Sequence, residues 1–163
     1  MIRRMMPEDA GQVEALVKTA FMTGVAPGLS QAGVQTFFRI ASQAALLLRM
    51  QEDHLILVHE EAGQILGMAE LKQGAHLAML FVLPECQGRG IAKNLLNALL
   101  PHCRQPQLSV RASLNAVSFY EAVGFEKSGS PAELAGLRYQ PLVCHLSVTT
   151  MPADQPASTL WQK

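Results

Sequence analysis

The stretch Leu80-Phe81-Val82-Leu83-Pro84-Glu85-Cys86-Gln87-Gly88-Arg89-Gly90-Ile91-Ala92 decides the reading of this chain. It begins as a buried strand, turns at Pro84 and enters a helix through two glycines. The first amides of a helix have no intrahelical acceptor and carry partial positive charge, so an anion fits against them. Glycine at 88 and 90 removes the Cβ atoms that would keep a diphosphate away from those amides. The segment therefore predicts a phosphate-bearing ligand gripped by backbone, whatever the charge of the surrounding surface.

Three nucleotide-binding patterns use this device, and spacing separates them. A Walker loop requires Gly-Lys-Ser/Thr after four intervening residues, and nothing here supplies it. The dinucleotide fingerprint GxGxxG can start at Gly88 and Gly90 but needs a third glycine where Lys93 stands. It should also follow the first strand of a parallel unit, whereas this segment follows three strands joined by tight turns. The pattern Q/R-x-x-G-x-G/A remains, and Gln87, Gly90 and Ala92 satisfy it.

Outward from that segment, the hydrophobic period assigns the neighbours. Met1 to Met6 reads as a short strand stopped by Pro7. Val13, Leu16, Val17, Ala20 and Phe21 make one stripe of a helix, and Gly24 to Ser30 is a loop. A second helix starts near Ser30 and carries Val34, Phe37, Phe38, Ala41, Ala44, Ala45 and Leu48 on one side. Leu55–Glu60, Ile65–Lys72 and His76–Leu83 alternate as strands with turns at Gly63-Gln64 and Gln73-Gly74. A helix from about Gly88 is halted by Pro101. Leu108–Ala112 is a strand, and Ser113 is positioned as N-cap of a helix burying Ala116, Phe119, Tyr120 and Val123. Gly124 is its C′ residue. Phe125 opens another extended stretch, Leu142–Val148 is the last strand, and 149–163, with Leu160 and Trp161, reads as a tail or docking arm. The order β-α-α-β-β-β-α-β-α-β-β predicts an α/β fold, a mixed sheet with helices on it, in one domain over 1–148.

Composition bounds the function. A chain of 163 residues is one domain's worth, and 49% apolar with 16% charged residues is globular composition. Thirteen basic residues balance thirteen acidic ones, which argues against a nucleic-acid partner and against an electrostatic membrane anchor. Three cysteines without CxxC spacing exclude a disulfide framework and a paired-ligand zinc site, so no metal is expected. No apolar run approaches a membrane span, and MIRRMMPEDAG lacks the apolar core of a signal peptide. The expectation is a reduced cytoplasmic protein.

Through Gln87-Gly88-Arg89-Gly90-Ile91-Ala92 the sequence resembles the GCN5-related N-acetyltransferase (GNAT) family. The preceding Leu80-Phe81-Val82-Leu83-Pro84 is similar to that family's strand. Ser113-Leu-Asn-Ala116-Val-Ser-Phe119-Tyr120-Glu-Ala-Val-Gly124-Phe125 is similar to its N-x-x-A-x-x-F/L-Y-x-x-x-G-F pattern. The resemblance in element order covers about residues 1 to 148. It implies that acetyl-CoA is the co-substrate. The strand Leu80, Phe81 and Val82 would pair with the pantetheine amides beside a splay from Leu108–Arg111. The amides of Gln87, Gly88, Arg89, Gly90, Ile91 and Ala92 would hold the pyrophosphate, with the Arg89 and Lys93 side chains toward the 3′-phosphate. Tyr120 would protonate the departing thiolate. The chain departs from the family at one point, where its asparagine is Ser113; Ser113 and Asn115 are both candidates for contact with the cofactor.

Transfer to an amine also needs a proton acceptor. The resemblance points to His76, four residues before Leu80, with Glu70 on the neighbouring strand as the other candidate. The plain alternatives are an exposed strand end for His76 and a solvent-facing side chain for Glu70. His54, His59, His102 and His145 have no pattern and read as surface or sheet positions. The implied function is acetyl transfer to a small-molecule or peptide amine by direct attack. The alternative from another class is a catalytically silent acyl-CoA-binding module, and a homodimer is open. The acceptor would be shaped by Thr23–Ser30 and Ser128–Arg138, two loops whose sequence encodes no recognisable preference.

Overall fold

Alternating apolar side chains over three successive segments build an antiparallel meander at the centre of the molecule. The computed structural model describes residues 1–146, so the expected arm at 149–163 lies outside the described residues. The strands are β1 (Ile2–Arg4), β2 (His54–Glu61), β3 (Gln64–Lys72), β4 (His76–Val82), β5 (Gln107–Ala112), β6 (Glu126–Lys127), β7 (Ala132–Leu134) and β8 (Leu137–His145). They form one sheet in the order β1-β2-β3-β4-β5-β8-β6, with β7 beside β8. Every pairing is antiparallel except β4 with β5. That parallel pair needs a crossover, which helix α4 (Ile91–Leu99) supplies. The mixed α/β sheet expected from the sequence is the one observed.

Helices cover both faces. On one side α1 (Ala10–Gly24), α2 (Gln31–Ile40) and α3 (Gln43–Met50) bury Val13, Phe21, Phe37 and Leu46 against Ile56, Met68 and Met79. On the other, α4 and α5 (Val117–Ala122) bury Leu95, Leu96, Leu99 and Tyr120 against Leu71, Leu108 and Leu142. Each fully buried leucine is worth about 1.5–3 kcal/mol. The α4 stripe therefore fixes the helix start firmly over the end of β4. Gly67 on β3 admits this approach, since a Cβ there would stand 3.0 Å from Ile91 and 3.2 Å from Leu95.

The structure differs from the sequence reading in three elements. The long second helix is two helices, α2 and α3. Ser42 breaks it by accepting a hydrogen bond from the Ala45 amide through its hydroxyl at 3.2 Å, a local cap that outcompetes continuation. The break rotates the stripe, so Leu48 is exposed and Leu46 is buried. Ser113 does not cap α5 with its side chain; a short 3-10 turn over Leu114–Ala116 comes first. And 132–145 is a hairpin, β7 and β8, where a loop and a short last strand were expected. Its two-residue turn, Ala135-Gly136, holds both φ values positive at +52° and +85°, the twist that suits a tight hairpin.

This hairpin docks on α2 backbone to backbone. Thr36 Oγ1 donates to the Ala135 carbonyl at 2.8 Å. A Cβ on Gly33 would fall 2.3 Å from the Gly136 carbonyl oxygen, so only glycine permits the contact. Gly33→Ala is expected to lower stability in urea unfolding by about 1–3 kcal/mol, the cost of forcing a methyl into a packed contact, and to loosen the hairpin in hydrogen exchange ahead of the central strands.

Candidate active site

β4 and β5 pair at two positions only, His76 with Ser109 and Leu77 with Val110. Beyond them β5 stays with β8 as far as Ala112–Gln140, and β4 continues alone along its outer edge. The register says which groups are left unmatched. The Leu83 amide donates to the Leu66 carbonyl at 2.9 Å, and bonded and unbonded pairs alternate along an antiparallel ladder. Phe81 therefore bonds back to Met68 on β3, while Leu80 and Val82 present their amides and carbonyls to the gap. The Gln87 side-chain amide donates to the Val82 carbonyl from that side at 3.4 Å. Of the three strand residues expected to pair with a ligand, Phe81 thus turns its backbone groups to β3 and its side chain to the second cavity.

Two cavities open along this gap. One, of about 570 Å³, runs from β4 over the start of α4 and is lined by Val82, Gln87, Gly88, Gly90, Ala92 and Lys93, among others. Gly88 and Gly90 hold φ at +82° and +81°, a backbone that L side chains rarely adopt. No side chain caps the helix, and a Cβ on either glycine would meet nothing of the protein within 4 Å. The cradle is thus bare backbone with open space before it, which suits the diphosphate of a coenzyme A thioester.

Arg89, expected to reach phosphate, turns away. Its Nη2 donates to both carboxylate oxygens of Glu61 at 2.7 and 2.9 Å, and it does not line the cavity. Hydrogen bonds from Arg89 and then His59 pull the Glu61 carboxyl down to about 2. Lys93 remains as the cation facing the cradle. Asn115 lines this cavity while its amide nitrogen donates to the Gly24 carbonyl. Ser113 lines the other cavity instead, and both residues line a neighbouring groove beside Gly24 and Val25.

The second cavity, of about 200 Å³, lies between β4, β5 and the α1–α2 side. Phe21, Val25, Phe37, Met79 and Phe81 give it an apolar wall; Arg111, Arg138 and Tyr139 form the opposite one. Val25 and Leu134 come from the two loop regions expected to shape an acceptor site. Three residues line both cavities: Leu80, Ala116 and Tyr120. Tyr120 is 6% exposed and packs edge-on against Phe119 and Phe125. Its burial pushes the phenol well above its ordinary value, so it keeps its proton across the neutral range.

The two proton-acceptor candidates line neither cavity. Glu70 is not solvent-facing: it is 0% exposed and held by Arg49 Nε at 2.6 Å and His54 Nδ1 at 2.7 Å. That pair ties α3 to the sheet and occupies both Glu70 carboxylate oxygens. It also gives His54, read as a surface or sheet position and found at the start of β2, a buried partner. His76 is half-buried at the closed end of the gap, with Nδ1 2.8 Å from Ser109 Oγ. Burial, then Arg111 and Lys72, pull it below its ordinary value, so it is neutral at pH 7. The cationic wall was missed in the sequence because Arg111 and Tyr139 meet only through β5–β8 pairing; the Ala135-Gly136 turn was the one local signal of that hairpin.

The acetyltransferase (GNAT) domain family matches residues 25–146. The chain belongs to this acetyltransferase family. It is 37% identical over 71 residues to the peptidyl-lysine N-acetyltransferase YiaC of Escherichia coli K12, a match covering 42% of this chain and 47% of that protein. The chain thus spans about half the length of this curated relative. The GCN5-related N-acetyltransferase structure from Rhodopseudomonas palustris superposes with a TM-score of 0.76 at 23% identity, covering 90% of this chain and 95% of that one. The PaiA N-acetyltransferase of Thermoplasma acidophilum, solved with coenzyme A, gives 0.75 at 21% identity over 89% and 98%. Among the described residues no helix is long and apolar enough to cross a membrane.

The Glu70 pair yields a direct expectation. Glu70→Ala strands the Arg49 guanidinium at a buried position, and urea unfolding should show a loss of about 3 kcal/mol. The folded variant should keep its KM for the acyl donor.

Proposed function

We propose that the enzyme moves an acetyl group from acetyl-CoA to a primary amine by direct attack in a ternary complex. The observation that carries this is the meeting of the two cavities at Tyr120: one offers bare amides to a diphosphate, the other an open cleft with an aromatic wall. The unmatched amide and carbonyl of Leu80 and the amide of Val82, whose carbonyl already accepts from Gln87, pair with the amides of the pantetheine arm, as an added strand would. The amides from Gln87 through Ala92 hold the pyrophosphate. The thioester carbon then lies at the junction, open to an amine in the smaller cavity.

There the amine nitrogen bonds to the acetyl carbon and the C–S bond breaks. The thiolate leaves beside Tyr120, whose retained proton neutralises it. The amine must shed its own proton. Glu70 is occupied, and no aspartate or glutamate among the described residues lines the cleft. His76, already neutral and on the same sheet face as Ser109 and Arg111, takes that proton through water. Both partners being bound at once removes any need for an acyl-enzyme, and Cys86, on the cradle side, has no part in transfer.

Tyr120→Phe should slow single-turnover release of coenzyme A thiol by about 10²-fold, the lower end of what general acid catalysis contributes, with little change in coenzyme affinity. An unchanged rate removes the tyrosine from the chemistry. Because His76 titrates below its ordinary 6.5, kcat should hold steady from pH 8 down to that value and fall only below it. His76→Gln should abolish that acidic limb and lower the plateau by at least about tenfold.

A further inference from the structure

Two charged side chains line the acceptor cleft, and both are arginines. Arg111 projects from β5, exposed, with its guanidinium carbon 5.2 Å from the centre of the Tyr139 ring. It has no carboxylate partner among the described residues. Arg138, on β8, has only a long contact of 3.9 Å with the exposed Glu133. A neighbouring groove of about 360 Å³ shares Val25, Ser113 and Arg138 with the cleft and likewise has no acidic lining among the described residues. The remaining wall is apolar: Phe21 stacks on Phe37 at 3.8 Å between ring centres, and Phe81 meets Phe37 edge-on.

Such a cleft selects by charge. A polyamine or an aminoglycoside would bring several positive charges against Arg111 and Arg138 with nothing to offset them. An amine that also bears a carboxylate would give Arg111 a planar, bidentate partner. The Tyr139 ring already holds the guanidinium in place, so little side-chain freedom is lost on pairing. The aromatic wall then takes an apolar body.

We infer that the acceptor is an amino acid with an apolar side chain, its carboxylate held by Arg111 with Arg138 alongside and its amine turned toward the Tyr120 junction. This rests on the acetyltransferase reading above and narrows it to one substrate class. Arg111 acts here as a specificity residue, touching the substrate at a site away from the reacting nitrogen.

The test is thiol release from acetyl-CoA by the full chain with matched acceptors: L-leucine, L-methionine and L-phenylalanine, their carboxamides, isoamylamine, spermidine, kanamycin and a blocked lysine peptide. The free acids should exceed their amides in kcat/KM by about 10- to 100-fold, the range of one charge-assisted hydrogen-bonded pair, and spermidine and kanamycin should be slowest. Arg111→Gln should bring the acid-to-amide ratio to about one and Arg111→Lys should restore part of it; unaltered circular dichroism and melting show that the variants fold. A ratio near one in the parent enzyme, a ratio insensitive to Arg111→Gln, or preference for the lysine peptide or a polycation overturns the inference while leaving acetyl transfer intact. Thiol release with none of these amines overturns both the inference and the transferase reading beneath it.

Discussion

The divergence of β4 from β5 after two paired residues is the constraint on which the site depends. A strand inside a sheet must satisfy its amides and carbonyls on both edges. β4 does so toward β3 except at a bulge that leaves Ala78 unmatched, and toward β5 only at His76 and Leu77. The outer groups of Leu80 and the outer amide of Val82 are therefore left to solvent or ligand, while the Val82 carbonyl accepts from the Gln87 side chain. β5 does not follow because β8 holds it along its whole length. α4 does not drift because Leu95, Leu96 and Leu99 are wholly buried beneath it. The gap is thus set by two well-packed halves of one sheet, and the glycine cradle sits at its end because the chain passes straight from β4 into α4.

Charge is arranged around this gap by removal as much as by placement. Glu70 is consumed by Arg49 and His54, Glu61 by Arg89 and His59, and Asp53 by Arg104. What faces the two cavities is Lys93 on the cradle side and Arg111 and Arg138 on the other. A chain with zero formal net charge thereby leaves positive side chains facing both cavities. Net charge describes a whole surface; ion pairing decides which part of it a ligand meets. Tyr120 stands between these regions in an aromatic packet with Phe119 and Phe125, dry enough to keep its proton and lining both cavities.

Local pattern carried the order of elements, the antiparallel meander, the cradle at Gln87 to Ala92 and the position of Tyr120, because period-two and helical repeats, glycine spacing and helix stops act within a few residues. Where a rule depended on competition, the reading failed. Ser42 took a cap that the apolar stripe ignored, ladder alternation turned the Phe81 backbone to β3, and Arg89 found Glu61 from β2, 28 residues earlier in the chain. The neutral state of His76, the burial of Glu70 and the pairing of Arg111 with Tyr139 depend on neighbours that only strand pairing and helix docking bring near. The sequence by itself determined the bare glycine-lined start of α4, because amide geometry at a helix start needs no distant partner. Tertiary structure alone decided which side chains remain unpaired in the cleft, because an ion pair forms through space and leaves no trace in spacing along the chain.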